Sequence, residues 1–170
     1  MAKTESFFIR KTVDIGNTNG FFQGNIDLGS FVNALEKSVL RIHSIDCVYS
    51  DATGRSNIIT ANSAVSAQWQ LTTQSQLDIV RADDRSLIAS GKLTEFRDLA
   101  TDGLPTSNYE ARDLNPADWV NGYLVATDQI FLGGAASTDY VGDVYVTLVL
   151  ECSVESMSQA DAMSLALSQQ

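Results

Sequence analysis

The stretch D-V-Y-V-T-L-V-L-E-C-S-V, Asp143 to Val154, decides the fold class. Val144, Val146, Leu148, Leu150, Cys152 and Val154 fall on one side of a period of two, and Tyr145, Thr147, Val149, Glu151 and Ser153 on the other. This predicts a long strand with one wholly apolar face. At about 3.3 Å per residue it reaches roughly 40 Å, so strands of similar length must cover that face. The opposite side carries Tyr145, Thr147 and Val149, too apolar for open solvent, which predicts cover from a second layer or a neighbouring subunit.

Directly after the strand, Ser156 to Gln170 has the pattern of a short helix. Ser158 suits the N-cap, Asp161 stands in the third position of the first turn, and Met157 can staple against Ala162. Met163, Ala166 and Leu167 make a narrow apolar stripe. Such a stripe packs either on its own domain or on a neighbouring subunit, and the sequence leaves both open.

Upstream, strand patterns recur with turn signals between them. Ser6 to Ile15 and Phe21 to Leu28 read as strands around N-T-N-G, whose Asn19-Gly20 pair suits a hairpin turn. Gly29 to Val39 reads as a short helix or looped crossing capped by Ser30. In Leu40 to Tyr49 the apolar register changes from Leu40 and Ile42 to Ile45, Cys47 and Tyr49, which predicts a bulge near His43-Ser44. From Ala64 the chain alternates again, with Val65, Ala67, Trp69 and Leu71 inward and Ser66, Gln68, Gln70 and Thr72 outward. Leu77 to Val80 and Ser86 to Phe96 are further strands, the second interrupted by Gly91; Asp98 to Pro116 is aperiodic and reads as a long loop; Trp119 to Leu132 resumes strand character, split at Thr127-Asp128. These elements predict an all-β fold, an eight-stranded single jelly-roll sandwich with a short C-terminal helix. Residues 1–170 are expected to form one domain, with an N-terminal segment 1–5 and a C-terminal helical extension 156–170.

The chain has 170 residues and a formal charge of −10. Nucleic acid is an unexpected partner, since phosphate binding needs clustered Lys and Arg, and Lys3, Arg10 and Lys11 are too sparse for a basic arm. No run approaches the ~18 residues of a membrane span, and the N-terminus has no secretion-signal pattern. Synthesis in a host cytoplasm without a signal peptide is the corresponding expectation.

Chemistry is hard to place. One histidine excludes a multi-histidine metal centre, and nucleophile, zinc-protease and phosphate-loop motifs are missing. Cys47 and Cys152 sit in strand patterns, as buried thiols or as a disulfide between neighbouring strands. Asp83-Asp84, and Asp51 with Gly54 and Asn57, read as solvated turns rather than calcium loops. The expectation is no enzyme, no catalytic residue, no metal and no cofactor.

The polar residues are mostly Ser, Thr, Asn and Gln. Strand faces without charge, as around Gln68, Gln70 and Thr72, lack the usual protection of isolated β proteins and suit contact with other subunits. Tyr145, Thr147, Met163, Ala166 and Leu167 complete the candidate assembly residues. A lectin-like sandwich using Trp69, Trp119 and Tyr123 on a sugar is the competing class, though Trp69 reads as core.

The run F-F-Q-G-N-I-D-L-G-S-F-V-N-A-L-E-K-S-V-L-R-I-H-S-I-D-C-V-Y-S-D, the D-V-Y-V-T-L-V-L-E-C-S-V-E strand and the S-Q-A-D-A-M-S-L-A-L-S-Q-Q tail resemble small single jelly-roll major capsid proteins of tailless icosahedral DNA viruses of archaea or bacteria. The resemblance implies a structural capsid subunit found in the virion and self-assembling into an icosahedral shell. Its implied partners are copies of itself, other capsid or vertex proteins and an internal membrane, with no direct contact to nucleic acid.

Overall fold

The structure, a computed structural model, describes residues 4–98 and 104–170. Residues 1–3 of the expected N-terminal segment, and 99–103 of the expected long loop, lie outside the described residues. The opening stretch is a strand, β9 (Val144–Ser156), and its burial alternates as the sequence predicts as far as Cys152; beyond it Ser153 and Glu155 are buried and Val154 is half-buried, because the far end of the outer face is covered. The other strands are β1 (Phe7–Gly16), β2 (Phe22–Asp27), β3 (Ser38–Ser50), β4 (Ser63–Thr72), β5 (Leu87–Arg97), β6 (Ser107–Leu114), β7 (Tyr123–Val125) and β8 (Gln129–Ala136). Among the described residues one α-helix, α1 (Gln159–Ser168), follows β9.

Two antiparallel sheets result, ordered β1-β9-β3-β7 and β2-β8-β4-β5-β6. The pairings β1 with β9, β2 with β8, β3 with β7 and β4 with β5 are those of one long ribbon folded back on itself after β4. Wrapping that ribbon brings β9 beside β3 and β8 beside β4. This is a jelly roll, as the sequence predicts. The core is the space between the sheets, where Val144, Val146, Leu148 and Leu150 meet Ile130, Leu132, Trp69 and Leu71.

Three sequence expectations are corrected. First, β6 makes a ninth strand where Asp98 to Pro116 read as loop; nearly all its residues are exposed, so no buried face writes a period into the sequence. Second, residues 17–21 do not close a hairpin, because β1 and β2 lie in different sheets. Asn19 has the positive φ, 62°, while the chain crosses from one sheet to the other. Third, Leu77 to Val80 is not a strand. Gln70 instead fixes this segment, donating to the Asp78 carbonyl at 3.0 Å and accepting from the Val80 N–H at 2.7 Å.

Of the short helix or looped crossing expected after Gly29, the chain forms a looped crossing with one 3-10 turn, Ala34–Glu36. Other expectations hold in detail. The register of β3 on β9 shifts between Ile42 and Ser44, which puts the bulge at His43. Ser158 caps α1, its hydroxyl accepting from the Asp161 N–H, and Met157 packs in the cluster that buries Ala162.

Candidate assembly surfaces

The outer face of the four-stranded sheet is built by the second side of the β9 alternation. Register places Arg10, Val149 and Asp46 in one row, Thr12, Thr147 and Val48 in the next, and Asp14, Tyr145 and Ser50 in a third. The Thr12 and Thr147 hydroxyls are 2.8 Å apart, a cross-strand pair that satisfies both without charge. Phe8 and Val48 are exposed beside them, and the Arg10 guanidinium lies 5.7 Å from the Phe8 ring centroid. The Asp14 carboxylate holds the Tyr145 phenol above its ordinary value. Among the described residues no other element covers this half of the face, which mixes Phe8, Val48 and the threonine pair with the charges of Arg10, Asp14, Asp46 and Glu151.

The other half is covered. Beyond the His43 bulge, Arg41 donates to both carboxylate oxygens of Glu155, at 2.6 and 2.8 Å, and also to the Asn121 carbonyl. Hydrogen bonding to Glu155 holds the guanidinium above its ordinary value. Helix α1 lies on Val39 and Ala126 next to this pair, burying Ala162.

Two side-chain amides close open strand edges. Asn115 donates to the Ile45 carbonyl at 2.7 Å and accepts from the Ile45 N–H at 3.4 Å, continuing the edge of β3 where short β7 has ended. Gln169 does the same on β7, through Ala126 and Leu124. Asn115 precedes Pro116 and caps a 3-10 turn, a signal present in the sequence. Gln169 carries no such signal.

The sequence-derived candidates divide accordingly. Gln68 is half-buried on β4, and Tyr145 and Thr147 are half-buried on the outer face of β9. Gln70 and Thr72 are each 1% exposed, which corrects the expectation of an open polar face there. Their side chains hold the chain after β4, Thr72 by donating to the Gln74 carbonyl at 2.7 Å. Along α1, Ala166 packs partly inward, while Met163 and Leu167 are 44% and 69% exposed. The inward face of the helix is Ala162, Leu165, Ala166 and Gln169, so the tail docks on its own chain through a small residue and an amide rather than through the Met163 stripe.

A cleft of about 250 Å³ opens between β3 and β6, lined by Cys47, Tyr49, Asn57, Glu95, Asn108 and Glu110 among others. Tyr140 donates to Glu95 at 2.9 Å, yet burial keeps the Glu95 carboxyl above its ordinary value. Burial also raises the Tyr49 hydroxyl and the Cys47 thiol beside it. Both cysteines are free, facing Leu148 and Ile42 rather than each other, and burial pushes Cys152 up to about 12. Neither thiol is poised to react at neutral pH.

No group of three or more His, Cys, Asp or Glu that could hold a metal occurs among the described residues. Asp51 and Asp84 spend their oxygens locally, on Thr53 and Arg55 and on Ser86. His43 Nε2 lies 2.8 Å from Ser153 Oγ, but Ser153 is fully buried, so no substrate reaches that hydroxyl. Trp69 is 3% exposed in the core and unavailable to a sugar, whereas Trp119 stays partly exposed with its ring 6.0 Å from Tyr123. No described helix is long and apolar enough to cross a membrane.

No protein-family model matches the chain, and no curated protein matches it. Among solved structures it is similar to VP1 of Merkel cell polyomavirus, an unassembled pentamer, at 6% identity and a TM-score of 0.46, over 91% of this chain and 97% of that one. It is also similar to VP1 of Trichodysplasia spinulosa-associated polyomavirus at 8% identity and a TM-score of 0.45, over 89% and 95%. A third similarity is to Cocksfoot mottle virus, at 10% identity and a TM-score of 0.37, over 95% and 98%. At TM-scores below 0.5 these similarities do not bear on what the chain does.

Proposed function

We propose that the chain is a structural, non-enzymatic capsid subunit of a tailless icosahedral virus, one jelly-roll domain that assembles with copies of itself in the virion. The observation that carries this reading is the bare outer half of the four-stranded sheet, with Phe8, Val48, Val149 and the Thr12–Thr147 pair. Phe8 and Val48 are large apolar side chains left in water on this face, and a neighbouring copy would cover them. The jelly-roll order and the resemblance of the 21–51, 143–155 and 158–170 runs to archaeal and bacterial capsid proteins support the same reading. Fold alone would not, since jelly rolls host many functions.

Vertex proteins and an internal membrane are further partners in this proposal, and the genome is left to other proteins. Light scattering across concentration tests it: mass should rise far above the monomer. The competing lectin-like reading keeps the Trp119–Tyr123 pair, of which Trp119 is exposed and Tyr123 half-buried. It requires glycan binding that Trp119→Ala abolishes without unfolding the chain.

A further inference from the structure

β6 is an open edge of the five-stranded sheet. It pairs with β5 on one side and with no described strand on the other, and both of its faces are largely exposed. The edges of β3 and β7 are closed by Asn115 and Gln169, but among the described residues no hydrogen bond caps the outer side of β6. Such an edge presents a row of unpaired N–H and C=O groups, a template for pairing with another chain.

We infer that β6 pairs with β6 of a second copy, antiparallel about a two-fold axis through Ala111, extending the five-stranded sheet across the interface. The sequence of the strand selects that register. A two-fold normal to the sheet keeps each residue on its own face, so directly opposed residues must have numbers of like parity. Within Ser107–Leu114 the charged residues are Glu110, Arg112 and Asp113. Only Glu110 with Arg112 satisfies parity as an opposite-charge pair, and it forms twice when Ala111 sits on the axis. Moving the axis to Glu110 or to Arg112 sets like charges against each other. The small Ala111 side chain leaves room at the centre. The same charges that would repel a stranger's strand therefore specify a second copy.

Arg112 already donates to the exposed Asp46 at 3.1 Å, and its five donors allow it to serve both carboxylates. The register of β6 on β5 shifts between Arg112 and Leu114, so regular pairing ends at Arg112, and Asp113 instead meets Lys92 at 3.5 Å. This inference rests on the self-association part of the shell reading and needs no closed shell.

Ala111→Cys in the full chain provides the test. Opposed Cα atoms at a two-fold pair lie about 4.5–5.5 Å apart, within disulfide reach. Mild oxidation should give a disulfide-linked dimer at least ten times faster than Asp83→Cys, placed on an exposed turn. Glu110→Arg or Arg112→Glu in the Ala111→Cys background should each slow cross-linking at least ten-fold, and the double exchange should restore it. A double exchange no faster than the single ones overturns the inference, as does Ala111→Cys cross-linking no faster than Asp83→Cys. In the unmodified chain, amide exchange across Ser107–Leu114 should slow as concentration rises; concentration-independent exchange contradicts the pairing. Shells that form while Ala111→Cys stays uncross-linked remove this contact and keep the shell reading; dimers without shells do the reverse.

Discussion

The side-chain amide of Gln169 lies along the open edge of β7, accepting from the Ala126 N–H at 3.0 Å and donating to the Leu124 carbonyl at 2.6 Å. Its own carbonyl accepts from the Thr73 hydroxyl at 2.7 Å, so the last turn of the tail joins β7 to the segment after β4. The helix is therefore part of the fold that it leaves.

Replacing Gln169 with Leu strands two buried backbone groups. Each costs about 1 kcal/mol or more, so a loss of about 2 kcal/mol and a fall of roughly 4–8 °C in Tm are expected. Deleting residues 158–170 should cost more, because it also uncovers Val39 and Ala126. Thermal melts followed by circular dichroism check both. An unchanged Tm after the deletion would show that the tail does not dock on its own chain.

Arg41 and Glu155 form a buried pair with side chains 13% and 6% exposed. Glu155→Ala leaves a guanidinium with little water and no counter-charge, which should cost about 3–5 kcal/mol in urea unfolding. The double variant Arg41→Met/Glu155→Leu should recover most of that loss. If it is no better than Glu155→Ala, the cost comes from packing and not from the orphaned charge.

Glu95 titrates in the opposite sense to a salt-bridged carboxylate. Burial raises its folded pKa above the unfolded value, so the folded state holds the proton more tightly. The resulting stability is lost as pH rises from the ordinary carboxyl range through the raised folded value, and it is regained on acidification. Glu95→Gln keeps an acceptor for the Tyr140 hydroxyl and removes the charge. The variant should match or exceed the parent in stability at pH 7, with its advantage vanishing below about pH 4. A stability difference independent of pH would refute this.

Gly91 sits under the Trp69 indole. A Cβ there would lie 2.6 Å from Trp69 Nε1 and 3.1 Å from the Ala111 carbonyl oxygen. Gly91→Ala should therefore cost about 1–3 kcal/mol, and the Trp69 fluorescence maximum should shift as the ring moves. Trp69→Phe combined with Gly91→Ala should relieve part of the cost.

What the sequence made legible follows burial. The β9 alternation, the bulge at His43 and the Ser158 cap each leave a local mark, because a buried face or a paired donor constrains residue type. β6 leaves none, since Ser107–Leu114 has both faces in water. Gln70 and Thr72 alternate as an outward face should, yet the chain from Thr73 to Ser86 folds back over them, a tertiary event that no local period records. Along the tail, Met163 and Leu167 are large apolar side chains, yet both stay exposed. The contact that docks the helix is made by Ala162 and Gln169, which are small and polar respectively.

Negative-stain microscopy of the purified full chain at rising concentration tests the shell-subunit proposal most directly. The proposal predicts regular closed particles, or ring-shaped capsomers that close as concentration or ionic strength rises. Single 18.4 kDa monomers at every concentration and salt would contradict it.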